Sequence, residues 1–418
     1  MAIVPAALLL YRSRNVRVPL LTSAVVIAEH GRLSPLAPGD HTAVFPGTRL
    51  IQRPDLAGGA REQDAWLRAG LVPSLAGRYA DMVTDALLDV RTLTLPNGAS
   101  LAGWPQSWRY VWPRDAAFVA VALARTGHAA DGLAVLRYLQ EVQGADGAFQ
   151  ARYLPDGSGS VPDGRGEETD GLGWALWAAE QTVLAEPAAD RPALAASLTA
   201  LVTRSLGRIL ALTSTVTALP PPSLDYWEVR DDRLSLGTAA PLALGLRSAV
   251  PLIRLLGQSG VEAADRAAVL ERAIAARFGP GGYPRYAGDA AMDASVAFLL
   301  PPFQASCDPG VVAAWQRATA TMSRPAGGVA PGAGWKDDGI SWTPETALFA
   351  LTAAATGRQA VAEQYLDWLD RHRTDRGALA EKVLSNGQPA GPAPLAWTAA
   401  LVVLAVDALE HGAAVPCG

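Results

Sequence analysis

The first clear pattern of hydrophobic and polar positions lies in residues 74–93, where apolar side chains recur at the spacing i, i+3, i+4, i+7. The apolar positions are Tyr79, Met82, Val83, Ala86, Leu87 and Val90. Because an α-helix turns once every 3.6 residues, this spacing places them on one face. The pattern therefore predicts an amphipathic helix.

The same periodicity predicts more helices towards the C-terminus, and several are followed by glycine, which commonly ends a helix in a left-handed conformation. The predicted helices cover residues 114–126, 129–143, 170–186, 190–211, 238–256, 261–277, 310–321, 344–356, 358–372 and 395–411. No strand pattern separates them, which excludes an α/β doubly wound sheet. The chain is predicted to be mainly α.

Residues 1–60 have a different texture, with short apolar runs broken by Gly, Pro and Asp. They are predicted to form a small β-rich segment ahead of a helical domain over residues 61–418. The first residues, "MAIVPAALLLYRSRN", contain an apolar run with no basic region ahead of it, and it is too short to cross a bilayer. We expect no membrane insertion, and we interpret this run as part of the fold or the remainder of a removed leader, so the sequence does not decide between the cytoplasm and export.

The predicted helices pair as hairpins, and the loops between them alternate between short and long. A bundle, a solenoid or a closed ring of hairpins would suit this order, although the lack of a fixed repeat disfavours the solenoid. The long loops cover residues 94–113, 145–169, 218–237, 322–343 and 373–394. In a closed ring alternate loops emerge on one face, so these loops would surround one pocket.

Composition narrows the class of partner. The net charge is −5, charged residues make up 18% of the chain, and no run of Lys or Arg occurs, so we expect no nucleic-acid partner. Twelve Trp are present, several in polar loops beside carboxylates and arginines, a combination that suits the flat apolar faces and hydroxyl rims of sugars. Core packing is an equal alternative for any single Trp.

The sequence gives little support for a metal site, a Ser-His-Asp site or a phosphate-binding loop. The five His are scattered, with no HExxH and no pair at metal-ligand spacing, so neither a metal site nor a Ser-His-Asp site is expected. The glycine-rich stretch 327–334 lacks the GK[ST] of a phosphate-binding loop. Cys307 and Cys417 are too few for a disulfide framework, and their pairing is not predicted. The oligomeric state is not predicted.

Two glutamates stand out as a candidate catalytic pair. Glu228 lies in "DYWEVR" after two aromatic residues, and Glu381 lies in "ALAEKV" beside Lys382. Hydrolysis of a glycosidic bond needs one carboxyl group that protonates the leaving oxygen and another that activates water or attacks. Packing against Tyr226 and Trp227 would raise the pKa of Glu228, as an acid requires, whereas Lys382 would keep Glu381 ionised. From spacing alone, a solvated loop carboxylate or a helix N-terminal charge is the favoured alternative for each.

The order of the polar clusters over residues 75–412 resembles the glucoamylase family of glycoside hydrolases, family 15. "WRYVWPRDAAF" is similar to its first block and "ETDGLGWALW" to its second. "DYWEVRDDRLSLG" resembles the block with the general acid, which falls on Glu228, and "LAEKVLSNGQPAGPAPLAW" the block with the general base, which falls on Glu381. "GDAAMDASVAF" resembles a further bacterial block in which a helix starts at Asp293.

The resemblance implies an (α/α)6 barrel of six inner and six outer helices. It also implies inverting, exo-acting hydrolysis of terminal α-linked glucose from oligosaccharides or polysaccharides without metal or cofactor. Arg114, Asp115 and Asp170 would hold sugar hydroxyls, and aromatic residues would form the pocket walls. The predicted substrate-binding residues are Trp112, Arg114, Asp115, Asp170, Tyr226, Trp227, Trp335, Asp338 and Trp342.

Departures from the family pattern leave the substrate open. Val229 follows Glu228 where fungal members have a second acid, and Lys382 follows Glu381 where Gln is frequent. A trehalase or a dextran-type exo-glucosidase on the same fold is therefore an alternative. A non-catalytic carbohydrate-binding protein is another, although it need not keep both glutamates.

Overall fold

The computed structural model describes residues 18–412 together with residues 415 and 417. Helices dominate these residues, as the periodicity predicted. The helices are α1 (Ala57–Ala69), α2 (Ala80–Leu93), α3 (Pro113–Arg125), α4 (Ala129–Val142), α5 (Asp170–Ala185), α6 (Arg191–Ser197), α7 (Thr199–Thr213), α8 (Leu236–Leu255), α9 (Val261–Phe278), α10 (Pro309–Thr321), α11 (Thr343–Ala355), α12 (Gln359–Arg371) and α13 (Ala396–His411).

Three local differences from the predicted helices have clear causes. The helix predicted over 74–93 begins only at Ala80, because Leu75, Ala76 and Gly77 adopt the left-handed conformation, which interrupts a right-handed helix. The helix predicted over 190–211 is divided into α6 and α7, whose axes differ by 68°. Helix α1 was not predicted, and it begins inside the segment predicted to be β-rich.

The inner helices form a closed ring. Each of six inner elements packs against the next, and the last packs against the first. In order, these elements are α3, α5, α8, the 3-10 helix Ala294–Leu299, α11 and α13. The outer helices α2, α4, α7, α9, α10 and α12 alternate with them along the chain. This confirms the (α/α)6 barrel.

One inner element is short. A helix was predicted to start at Asp293, and the structure has a six-residue 3-10 helix there, with the Asp293 carboxylate accepting a hydrogen bond from the Ser295 amide at 3.0 Å. Pro301 and Pro302 follow shortly afterwards. Because proline has no N–H to donate, the segment cannot continue as a regular helix.

The inside of the ring is packed tightly. At the crossing of α5 and α8, a Cβ on Gly173 would lie 1.9 Å from a backbone oxygen, that of Pro241, so only glycine allows this approach. Aromatic rings fill the ring's interior: Phe118 lies 4.9 Å from Trp174, which lies 4.8 Å from Phe298, measured between ring centroids. These rings fill the middle of the barrel.

Helix α8 is long and apolar enough to cross a membrane by composition alone, but most of it is buried within the protein. A helix in the centre of a protein core has the same composition.

Two antiparallel strands, β1 (Ala24–Ile27) and β2 (Leu33–Leu36), lie outside the barrel. The Arg49 guanidinium forms salt bridges with two residues of α2, from Nη1 to Oδ1 of Asp85 at 2.9 Å and from Nε to Oδ1 of Asp89 at 2.5 Å, and these connect this part of the chain to the barrel. Residues 1–17 of the segment predicted to be β-rich lie outside the described residues. At the other end of the chain, a disulfide joins Cys307 to Cys417, with the Cα atoms 5.6 Å apart.

A small sheet organises the loops at the open end of the barrel. Its strands are β3 (Ser341–Trp342), β4 (Lys382–Val383) and β5 (Pro389–Ala390), and they pair antiparallel in the order β3-β4-β5. Trp342 lies opposite Lys382. Two of the long loops predicted to share one face of the ring are therefore hydrogen-bonded to each other.

Candidate active site

A pocket of about 340 Å³ lies where the inner helices begin. It is bordered by the first turns of α3, α11 and α13 and by the loop that leads into α8. Nine of the predicted site residues line it: Trp112, Arg114, Asp115, Tyr226, Trp227, Glu228, Trp335, Trp342 and Glu381. The long loops thus meet at one pocket.

Two predicted substrate-binding residues do not line this pocket. Asp170 is buried beneath it, where its Oδ2 lies 3.3 Å from Nη1 of Arg114. Asp338 accepts a hydrogen bond from the Ile340 amide at 3.0 Å and so stabilises a turn in its own loop. The sequence identified their loops but not the direction in which these side chains point.

The carboxylate of Glu228 makes polar contacts. Its Oε1 accepts a hydrogen bond from Nε1 of Trp112 at 2.8 Å and lies 3.5 Å from Nη2 of Arg114. Its Oε2 pairs with Arg165, whose side chain is 34% exposed. The sequence had predicted an apolar setting for Glu228; the structure surrounds its carboxylate with an indole N–H and two guanidinium groups.

A strained turn presents Glu228 to the pocket. Its φ is 55°, in the left-handed region that few residues other than glycine adopt, and its amide donates to the Asp225 carbonyl at 2.8 Å. The buried Asp225 carboxylate holds this turn by accepting hydrogen bonds from the Trp227 amide at 3.0 Å and from Arg285 at 2.8 Å. Asp225 was not singled out from the sequence.

Glu381 lies next to the small sheet, immediately before β4. Its carbonyl accepts a hydrogen bond from the Thr343 amide at 3.0 Å, and its own amide donates to the Pro392 carbonyl at 3.0 Å. Its Oε2 pairs with Lys382, as the sequence predicted, and its Oε1 accepts a hydrogen bond from Nε1 of Trp108 at 3.2 Å. Both glutamates therefore receive an indole N–H from the loop that precedes α3.

Arg114 lies at the centre of a cluster of carboxyl groups, since Glu168, Asp170, Asp115 and Glu228 all lie within ion-pair distance of it. One guanidinium cannot neutralise four carboxylates, and burial disfavours their charged forms. Burial, opposed by Arg114, raises the pKa of Asp115 to about 7 and that of Asp170 to about 6, and it raises the pKa of Glu168 well above its usual value. Part of the cluster is thus protonated near neutral pH.

Aromatic rings form one wall of the pocket. Trp335 packs edge-on against Trp227 at 4.8 Å and against Trp342 at 5.6 Å between centroids. The guanidinium of Arg285 lies 3.9 Å from the ring centroid of Trp227. Gly332 makes room for this ring, because a Cβ there would lie 2.5 Å from it.

Several buried polar atoms on pocket residues have no hydrogen-bond partner among the described residues. They include Nε1 of Trp227, Trp335, Trp342 and Trp397, and Oε2 of Glu345. Buried polar groups are nearly always paired, so unpaired donors and an acceptor around one pocket indicate a ligand rich in hydroxyl groups. No group of three or more His, Cys, Asp or Glu within the described residues is arranged to hold a metal ion.

Further pocket residues were not among those predicted from the sequence. They are Trp108, Arg152, Arg165, Glu345, Lys382 and Trp397. Trp108 lies in the same cluster as Trp112, and Glu345 follows Trp342 closely, so proximity to predicted residues was the available signal for both. Arg165 lies in a polar loop that carries no such signal.

Neither a protein-family model nor a curated protein matches the sequence. Solved structures do match. A wild-type glycosidase structure shares 22% identity over 79% of this chain and 96% of its own, with a TM-score of 0.66, and a variant glycosidase structure with the same identity and coverage is in complex with glucose.

Glucoamylases share the fold as well. A bacterial glucoamylase complexed with acarbose has a TM-score of 0.69 and 17% identity, over 85% of this chain and 59% of the glucoamylase. The glucoamylase of Hormoconis resinae has a TM-score of 0.65 and 15% identity, over 82% of this chain and 75% of its own. At these identities the likeness establishes a common fold.

Proposed function

We propose that the chain is an inverting, exo-acting α-glycosidase of the glucoamylase type, which removes terminal α-linked glucose from oligosaccharides or polysaccharides. The observation that carries this proposal is that Glu228 and Glu381 line one pocket, as the two carboxyl groups of a glycosidase must. The unpaired indole N–H groups beside them suit a ligand with many hydroxyl groups. The glycosidases and glucoamylases that share the fold support the same class of reaction.

Glu381 is the proposed general base. Its Oε2 pairs with Lys382 and its Oε1 accepts the N–H of Trp108, and these contacts position a carboxylate that can take a proton from water. The oxygen of that water bonds to the anomeric carbon on the side opposite the leaving group. The bond from this carbon to the glycosidic oxygen breaks as the new bond forms, so the configuration inverts.

Glu228 is the proposed general acid, which gives its proton to the departing glycosidic oxygen. Its pairing with Arg165 is the contact that a leaving group has to replace, because Arg165 lies on a partly exposed loop whereas Arg114 is buried. The leaving-group sugar can therefore displace Arg165 and take its place beside the Glu228 carboxyl group.

The closed inner end of the pocket supports exo action. Trp397 lines the pocket and packs against Phe118 at 5.9 Å between centroids, with the aromatic interior of the ring behind it. A chain end can enter such a pocket, whereas the middle of a polysaccharide cannot. Arg114 and Asp115 contact the hydroxyl groups of the terminal sugar, and Asp170 holds Arg114 in place.

A panel of α-1,4-, α-1,6- and α,α-1,1-linked glucosides, together with non-glucose glycosides, tests the proposal. We expect release of glucose, with NMR showing the β-anomer first because an α-linkage is inverted. Glu228→Gln and Glu381→Gln should each lower kcat by about 10³-fold or more, since each carboxamide can neither donate nor accept the transferred proton. Glu262→Gln, on the exposed face of α9, is the matched control and should keep wild-type activity.

Three outcomes would contradict this function. Inactivity of the wild-type protein across the panel would favour a carbohydrate-binding protein. First release of the α-anomer would show a retaining mechanism. Near-normal activity of Glu228→Gln or Glu381→Gln, with the circular dichroism spectrum unchanged, would show that the catalytic pair is wrong.

A further inference from the structure

A third glutamate lies deeper in the pocket than the proposed catalytic pair. Glu345 is the third residue of α11 and is 3% exposed, whereas the side chains of Glu228 and Glu381 are 23% and 12% exposed. It lines the pocket, and its Oε2 has no hydrogen-bond partner among the described residues. A buried carboxyl oxygen without a partner, on the wall of a pocket, indicates a contact that a ligand completes.

The charges around Glu345 favour its neutral form. Burial is the largest influence and raises the pKa of Glu345 to about 8. Glu381, beside β4, and Asp293, at the start of the inner 3-10 helix, add to this by repulsion, while the Glu345 backbone amide and Arg114 on α3 act in the opposite direction. At the start of α13, the pocket is lined by the uncharged Leu395, which precedes the helix, and Trp397. At neutral pH the side chain is therefore a carboxylic acid, with one O–H to donate.

We propose that Glu345 is a substrate-binding residue that donates its carboxylic O–H to an oxygen of the sugar bound in the closed end of the pocket. This inference rests on the proposed function, because it assumes a sugar in that pocket. A neutral carboxyl group can donate to one hydroxyl and accept from another, so it distinguishes a sugar with a hydroxyl at that position from one without it.

The position of Glu345 fits this role better than that of a second base. Its neighbour Trp342 contributes a wall of the pocket, and β3 joins that residue to Lys382 in β4. Glu345 and Glu381 are thus held by the same small group of elements, one at depth and one nearer the opening. The deeper residue binds the terminal sugar, and the outer residue faces the bond to be broken.

Calorimetric titration with glucose and its singly deoxygenated analogues tests the contact. All proteins carry Glu228→Gln, so that ionisation of Glu228 does not contribute to the pH dependence. With Glu345 present, one deoxy analogue should bind about 10-fold more weakly than glucose, the usual cost of one lost hydrogen bond in a buried site. With Glu345→Ala added, glucose and that analogue should bind equally.

The pH dependence gives an independent measurement. Above pH 8 the glucose dissociation constant should rise, by about tenfold in all, relative to the variant with Glu345→Gln, because ionisation of Glu345 removes one donated hydrogen bond whereas the carboxamide keeps a donor N–H at every pH. Glu180, on α5, is a partly buried carboxyl group that has a raised pKa and does not line the pocket. Glu180→Gln is therefore the matched control, and its glucose dissociation constant should depend on pH in the same way as that of the protein that retains Glu345.

Three results would overturn the inference. The first is weaker binding of the deoxy analogue than of glucose that persists in Glu345→Ala. The second is glucose binding that becomes tighter above pH 8. The third is an identical pH dependence of the glucose dissociation constant with Glu345 and with Glu345→Gln. Binding of glucose with any of these results contradicts the role of Glu345 alone. If neither the wild-type protein nor the Glu228→Gln protein binds glucose or any other monosaccharide, the proposed function fails with it.

Discussion

Replacing two indole donors one at a time tests the proposed roles of Glu228 as general acid and Glu381 as general base. Trp112 donates to Glu228 at 2.8 Å and Trp108 donates to Glu381 at 3.2 Å, from the same short loop. Phenylalanine keeps an aromatic ring at each place but removes the N–H. Loss of a donor destabilises the ionised form of the carboxylate that accepted its hydrogen bond.

The two substitutions should move opposite limbs of the pH–rate profile. A base works when ionised, so Trp108→Phe should shift the acidic limb to higher pH and narrow the profile. An acid works when protonated, so Trp112→Phe should shift the alkaline limb to higher pH and broaden the profile. A hydrogen bond to a charged acceptor contributes about 1.5–3 kcal/mol, and one pH unit corresponds to about 1.4 kcal/mol.

Partial exposure of both glutamates reduces these values, so we expect shifts of about 0.5–1.5 pH units, with the larger one for the shorter bond of Trp112. The measurement is kcat/KM against pH on one α-glucoside. Trp335→Phe is the matched control: its Nε1 donates to no described residue, so both limbs should stay in place even if KM rises. If Trp108→Phe instead moved the alkaline limb and Trp112→Phe the acidic limb, Glu381 would be the acid and Glu228 the base. If neither variant moved a limb, the argument from hydrogen bonding would be refuted.

Two further predictions concern stability. Gly173→Ala should lower the unfolding free energy by about 3 kcal/mol, because its Cβ would overlap a backbone oxygen of α8. Gly207→Ala on the outer helix α7 is the control: its Cβ meets nothing within 4 Å, so this change should raise the unfolding free energy by up to about 1 kcal/mol. Equal melting temperatures of the two variants would contradict the close packing at Gly173. Burial raises the pKa of Asp170, Asp115 and Glu345 to about 6, 7 and 8, so their contribution to stability is complete below about pH 4 and is lost as pH rises through these values. The unfolding free energy measured with urea should therefore decrease from pH 5 to 9, and above pH 7 the decrease should be smaller in Glu345→Gln. An unfolding free energy that does not change with pH over this range would contradict the prediction.

The helices and their ring could be predicted because both depend on local pattern. Amphipathic spacing and the glycines that end helices are encoded within a few residues, and the alternation of short and long loops indicates which loop ends meet. The inner element at Asp293 departs from the predicted helix because the nearby Pro301 and Pro302 limit its length. The division between α6 and α7 has no comparable signal in the sequence.

Direction and depth of side chains could not be predicted from the sequence. Asp170 lies one layer below the pocket because Arg114 occupies the position above it, and only the packing of α3 against α5 decides this. Glu345 looks like an ordinary charge in the first turn of a helix until the closed ring buries it. The partners of Glu228 come from loops distant in sequence, so its polar setting could not be read from the adjacent Tyr226 and Trp227.

The loop that precedes α3 has a consequence for the evolution of the reaction. This loop supplies both indole donors, and its ends are fixed by the hydrogen bond from the Ala102 amide to the Tyr110 carbonyl, at 3.0 Å, and by that from the Ala396 amide to the Ala102 carbonyl, at 2.9 Å. One short segment thus contacts both carboxyl groups. In the proposed reaction the spacing of these carboxyl groups separates inversion from retention, so an insertion or deletion in this segment should change which product anomer forms first.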